Sequence, residues 1–152
     1  MRVCLQRVKE AWVQVLEEDG ERRETGRIGA GLLALAGFAA GDGAEAIGWM
    51  AAKIVDLRIF EGAGAGGFDR SLRDGAGELL VVSQFTLYGD ARKGRRPDFG
   101  AAAPYGRAEA LYRDLLDRCE AELPGRVRSG VFGARMEVGL VNDGPVTLWI
   151  ER

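Results

Sequence analysis

The sequence predicts an α/β (α+β) chain in which a curved, barrel-like, mostly antiparallel sheet carries two main helices. Three observations support this. About seven or eight short apolar runs have strand length and are bounded by turn residues. Two longer segments space their apolar residues as a helix does. Most connections between the strand-like runs are short, which places neighbours antiparallel. At 152 residues the chain fits a single domain, residues 1–152.

Residues 2–9 and 11–17 read as two strands, with Val13 and Val15 alternating with polar neighbours. Asp19-Gly20 is a hairpin signal, followed by a short strand near 21–25. Residues 28–38 contain Leu32, Leu33 and Leu35 and read as a buried strand. Asp42 stands where it can cap a helix over about 44–58, with a stripe of Ile47, Met50, Ala51, Ile54 and Leu57.

Residues 61–78 are glycine-rich and read as a loop or hairpin. Residues 79–87 read as a central strand, and 91–103 as a basic, then small-residue connection. The clearest helix runs from Pro104 or Tyr105 to about Glu122, with Ala108, Leu111, Tyr112, Leu115, Leu116 and Cys119 on one face. Pro104 suits its first turn, and Pro124-Gly125 marks its stop. Strands are expected at 127–131, 136–141 and 146–151.

Hydrophobic residues make up 47% and charged residues 29%, as in a soluble globular protein. The formal net charge of −2 means that any nucleic-acid contact must come from a local basic patch. The longest apolar run, 32–40, is too short to span a bilayer. The start reads as a strand rather than a signal peptide, so a cytoplasmic location is expected. Cys4 and Cys119 are expected to be buried free thiols.

The chain has no histidine. This removes Ser-His and Cys-His nucleophile pairs and His-based zinc sites. It also removes the one side chain that ordinarily titrates near neutrality. Neither a metal nor another cofactor is expected. Any chemistry must rest on carboxylates, hydroxyls, backbone N–H groups or the substrate itself.

Gly62-Ala63-Gly64-Ala65-Gly66-Gly67 spells G-x-G-x-x-G, but a helix precedes it where a dinucleotide site needs a strand, so it reads as a loop. In Ser83-Gln84-Phe85-Thr86-Leu87 the two hydroxyls fall on opposite faces of an extended chain and have no histidine base. The bland reading is a strand. The functional one is a strand end whose backbone N–H groups bind an oxyanion.

Arg92-Lys93-Gly94-Arg95-Arg96 is either a solvated loop or a phosphate contact, which Arg2, Arg7, Arg126 and Arg128 could extend. Asn142-Asp143-Gly144-Pro145-Val146-Thr147 reads as a hairpin turn. Its Gly-Pro linkage is one where cis costs only roughly 0.5–1 kcal/mol. A cis form would turn two successive carbonyls one way, a rigid acceptor pair suited to an ammonium group.

Together these segments resemble the D-aminoacyl-tRNA deacylase family over nearly the whole chain. The resemblance includes Gln6-Arg7-Val8, Lys93-Gly94-Arg95-Arg96-Pro97, Gly130-Val131-Phe132-Gly133-Ala134 and Met136. Its most specific part is the pair S-Q-F-T-L and N-x-G-P-V-T in this order. One stretch departs from it: Ala65-Gly66-Gly67-Phe68-Asp69-Arg70 stands where the family usually has Lys-Met-Asn.

The resemblance implies a homodimer with two sites at its interface, acting on aminoacyl-tRNA and not on DNA or membranes. It implies that Gly144 and Pro145 hold the substrate's α-amino group from the partner subunit, with Arg7 fixing their loop. Phe85 and Thr86 would present backbone N–H groups at the reacting centre. Ser83, Gln84 and Met136 would shape the pocket. Arg92, Lys93, Arg95 and Arg96 are the expected tRNA phosphate contacts. The alternatives are a non-catalytic tRNA-binding module, a same-fold deacylase of another acyl group, and a purely structural dimer.

Overall fold

The computed structural model describes residues 1–62 and 67–152. The glycine run at 63–66, including the first part of the atypical stretch, lies outside the described residues.

The chain opens with one 15-residue strand, β1 (Arg2–Leu16), where the sequence suggested two. Its register shifts between Gln6 and Val8 and again between Val8 and Glu10, so the strand bends without breaking. That bend changes which side chains face inward. Val3 and Leu5 face the helices, whereas Val8, Ala11 and Val13 enter a second core. Next come β2 (Arg22–Ile28), β3 (Gly31–Gly37) and helix α1 (Ala44–Asp56). Ile28 closes β2 rather than opening β3, because Gly29 and Ala30 make the turn between them.

Asp42 does not cap α1. The N-cap is Gly43, without a side-chain cap. The Asp42 carboxylate instead accepts the Ala39 N–H at 2.8 Å and the Met1 amino group at 2.8 Å.

The 61–78 segment contains a small hairpin, β4 (Phe60–Glu61) with β5 (Phe68–Arg70). The expected strand over 79–87 is shorter. β6 spans Glu78–Ser83, and Phe85–Tyr88 form a 3-10 turn. Helix α2 (Tyr105–Glu122) agrees with its periodicity, and Pro104 occupies the N-cap. β7 covers only Val127–Ser129, and β8 (Met136–Glu151) runs through the Gly-Pro segment as one strand.

The main sheet has six strands in the order β2-β1-β3-β6-β7, with β8 on the other edge of β1. The pairings of β1 with β2, β3 and β8 are antiparallel, as expected. Those of β3 with β6 and β6 with β7 are parallel, since α1 and α2 lie in the crossovers between them. The sheet curls until β2 approaches β7: a Cβ on Gly26 would stand 3.0 Å from the Ser129 carbonyl.

Two apolar cores result. The larger lies between the helices and one sheet face, with Leu32, Met50, Ile54, Leu79 and Leu115 fully enclosed. The smaller fills the barrel with Val8, Ala11, Val13, Ile28, Leu33, Leu80 and Val82. Leu35, Met136, Val138 and Leu140 border it half-exposed, so the barrel is open on that side. Among the described residues no helix is long and apolar enough to cross a membrane.

Candidate functional site

A cavity of about 530 Å³ opens at the end of β6. Ser83, Gln84, Phe85 and Met136, all singled out from the sequence, line it. Ala36 of β3 forms part of the wall because it pairs with Ser83 across the parallel ladder. Phe38, Tyr105, Phe132 and Gly133 were not singled out as site residues, yet they line it too. Tyr105 meets the Phe132 ring edge-on at 5.1 Å, and Phe132 leans on Tyr112 at 5.7 Å. Tyr112 is buried beneath them and donates its hydroxyl to the Val81 carbonyl at 2.9 Å. Burial pushes that phenol up to about 12, so it remains a neutral donor.

Beyond Ser83 the backbone leaves the ladder. The Gln84 N–H still donates to Ala36 at 2.7 Å, and Leu87 and Gly89 donate to Gln84 and Thr86 at 3.3 and 2.9 Å. The N–H groups of Phe85 and Thr86 have no acceptor among the described residues. They are two successive donors, of which Phe85 lines the cavity, whereas Thr86 is exposed and outside its lining. The Phe85 ring is 58% exposed and rests edge-on against Phe99 at 5.2 Å. Because 85–88 is helical, Ser83 and Thr86 are not related as on an extended chain. The Thr86 hydroxyl accepts a hydrogen bond from Gln84 Nε2.

The Gly144–Pro145 peptide bond is cis, the form envisaged from the sequence. Its loop is tied to Arg7. This buried guanidinium donates from Nη1 to the Ile59 carbonyl at 2.6 Å. Its Nε faces Asp143 Oδ2 at 2.8 Å, as an ion contact without hydrogen-bond alignment. Asn142 Nδ2 donates to the Arg7 and Val146 carbonyls at 2.8 and 3.1 Å.

Within one chain none of residues 142–147 lines the cavity. A Cβ on Gly144 would meet nothing within 4 Å in its own chain.

The basic run forms the tip of a hairpin closed by Asp90 and Asp98, whose N–H groups and carbonyls exchange bonds of 2.7 and 2.9 Å. Arg92 is ion-paired with Asp90 at 2.6 Å, which lowers the carboxyl below its ordinary value. Lys93, Arg95 and Arg96 are exposed. Phe99, next to the hairpin base, seats it against Phe85.

The other arginines do not extend this patch. Arg7 is buried, and Arg2 donates to the Leu87 carbonyl at 3.1 Å. Arg126 serves the carbonyls of Leu72, Gly75 and Gly77 at 2.7–3.2 Å. Arg128 donates to Gly125 and Val127 at 3.1 and 2.9 Å. Among the described residues no three Cys, Asp or Glu side chains gather as a metal-binding group.

The D-Tyr-tRNA(Tyr) deacylase family model matches residues 4–151. A D-aminoacyl-tRNA deacylase of Clostridium acetobutylicum is 49% identical over 99% of this chain and 97% of its own. One from Thermomicrobium roseum is 51% identical over 99% and 94%. Among solved structures, a c-Myc DNA unwinding element binding protein superposes with a TM-score of 0.90 at 37% identity, covering 100% of this chain and 99% of that one. A probable eukaryotic D-amino acid tRNA deacylase, 22% identical with a TM-score of 0.81 over 98% and 97% of the two chains, shares the fold. With a family model matched over residues 4–151 and relatives about half identical over nearly the whole chain, the chain belongs to the D-Tyr-tRNA(Tyr) deacylase family.

Proposed function

We propose that this protein hydrolyses the ester bond of D-aminoacyl-tRNA, releasing free tRNA and the D-amino acid, as a cytoplasmic homodimer. The observation that carries the reading is the pair of successive N–H groups on Phe85 and Thr86 that have no acceptor among the described residues, beside an apolar cavity that Phe85 lines. An ester carbonyl seated there gains negative charge as water attacks. Each well-aimed donor stabilises that charge by on the order of 3 kcal/mol. The aromatic and alanine walls suit a stacked nucleobase, which the 3′-terminal adenosine of tRNA supplies.

The attacking water needs a proton acceptor, and no histidine is present. The ribose 2′-hydroxyl beside the ester takes this role in the proposal, making the reaction substrate-assisted. The acyl carbon–oxygen bond breaks, the ribose oxygen leaves as a hydroxyl, and the amino acid leaves with the added oxygen. Ser83, Gln84 and Met136 shape the walls around the acyl carbon.

Handedness follows from a second copy. Its Gly144 and Pro145 carbonyls hold the substrate ammonium, and its Arg7 fixes their loop. With ammonium and carbonyl both pinned, an L side chain runs into the Gly-Pro backbone, whereas a D side chain points to solvent. Glycine has nothing to clash, so glycyl-tRNA, including glycine mischarged on alanine tRNA, is also cleaved. Lys93, Arg95 and Arg96 contact tRNA phosphates, with Arg92 contributing less because Asp90 already holds it.

The test is release of tyrosine from D- and L-tyrosyl-tRNA in parallel, with chelator present. Cleavage of the D form at least about a hundredfold faster is expected. Equal rates would overturn the chirality argument. Binding of tRNA without hydrolysis would establish a non-catalytic module instead.

A further inference from the structure

The 3-10 turn that carries the two free N–H groups is short and stands outside the sheet ladder, so something must fix its orientation. On one side it rests on β3. The Gln84 N–H donates to Ala36 at 2.7 Å, and a Cβ on Gly37 would stand 2.9 Å from the Gln84 carbonyl. The other side is met by Arg2. Its Nη1 donates to the Leu87 carbonyl at 3.1 Å. Its guanidinium carbon lies 4.4 Å from the Tyr88 ring centroid and 5.9 Å from that of Trp149. Its Nε donates to Glu151 Oε1 at 3.0 Å. Among the described residues no other side chain hydrogen-bonds the backbone of 85–88.

We propose that Arg2 is a positioning residue for the reaction: it holds the 85–88 turn so that the Phe85 and Thr86 N–H groups point at the developing oxyanion. A guanidinium suits this task because it is planar. It can stack on Tyr88 while donating in its own plane to Leu87 and Glu151, which an ammonium cannot do together. The contact to Glu151 is half-exposed and contributes little. The stacked contact and the bond to Leu87 do the holding. Arg2 touches neither ester nor water in this arrangement, so its loss misaims two donors without emptying the binding cavity. Misplacement by about 1 Å can cost on the order of a hundredfold. Loss of one support among several is expected to cost about tenfold.

The inference rests on the deacylase reading, and the experiment separates the two. Steady-state cleavage of D-tyrosyl-tRNA is measured for the wild type, Arg2→Met, Arg2→Lys and Glu151→Gln. Amide exchange at Tyr88 and Gly89 is measured in the same proteins. Arg2→Met should lower kcat about tenfold with KM within about twofold, and speed amide exchange across the turn. Arg2→Lys should recover part of kcat, and Glu151→Gln should stay within about twofold of the wild type.

A wild-type kcat in Arg2→Met, or an equal loss in Glu151→Gln, overturns the proposal. Should Arg2→Met not fold, a wild-type kcat in Arg2→Lys together with unchanged exchange overturns it. A wild type that cleaves no D-aminoacyl-tRNA sinks the deacylase reading instead. Faster exchange in Arg2→Met would then still support Arg2 as the support of the turn.

Discussion

Arg7 Nε stands 2.8 Å from Asp143 Oδ2, joining the start of the chain to the loop before Gly144. The Arg7 side chain is 6% exposed and that of Asp143 is 38%. Breaking a fully buried pair costs about 3–5 kcal/mol, and solvent around Asp143 reduces that. Asp143→Ala should therefore lower urea stability by about 1–2 kcal/mol, with the slope unchanged. A change below about 0.3 kcal/mol would show that the Ile59 carbonyl alone satisfies Arg7.

Gly144→Ala separates folding from function. The added methyl meets nothing within 4 Å in its own chain, so the urea midpoint should not move. If the loop enters a second copy's site, kcat/KM for D-tyrosyl-tRNA should fall at least about tenfold. Full activity would place Gly144 away from the substrate.

Thr86→Ala asks whether the hydroxyl reacts. That hydroxyl accepts from Gln84 and has no base beside it, whereas the backbone N–H survives the substitution. Activity should stay within about threefold of the wild type. A loss of about a thousandfold or more would make the hydroxyl a nucleophile.

The exposed cations of the 90–98 hairpin should act through tRNA affinity. Lys93→Ala, Arg95→Ala and Arg96→Ala should each raise KM and leave kcat unchanged. Each should reduce the slope of log affinity against log salt by about one. Arg92→Ala should change the slope less, because Asp90 neutralises that charge. Four unchanged slopes would move the tRNA path elsewhere.

Neither thiol should matter near neutrality. Burial, with a smaller contribution from Glu122, pushes Cys119 up to about 12, and burial raises Cys4 above its ordinary value. Both stay protonated through pH 7–8, so alkylating reagent should leave deacylation intact and spare Cys119 until the chain unfolds. Rapid inactivation would point to a reactive cysteine.

Features that depend on near neighbours were readable in the sequence. The stripe from Ala108 to Cys119 gave α2, and Asp19-Gly20 the turn between β1 and β2. The S-Q-F-T-L motif led to a true cavity wall at Ser83, Gln84 and Phe85. Reading failed where a distant partner decided the outcome. Asp42 looked like a cap, but the Met1 amino group and the Ala39 N–H take its carboxylate. Residues 84–87 read as extended, but Gly37 and Arg2 pack against a 3-10 turn there. Tyr105 and Phe132 were not legible as partners in one cavity wall, because only the packing of α2 against β7 brings them together.

The sequence by itself determined the class of chemistry and the family. Lack of histidine rules out the one side-chain base that ordinarily titrates near neutrality, and the two motifs stand in their order along the chain. Only the tertiary structure decided which arginines are exposed and which bind carbonyls, that two strand pairings are parallel, and that Gly144 does not line the cavity of its own chain. The physical reason is range. Periodicity and turn chemistry act over a few residues, whereas satisfying a buried carbonyl or closing a sheet depends on groups far apart in sequence.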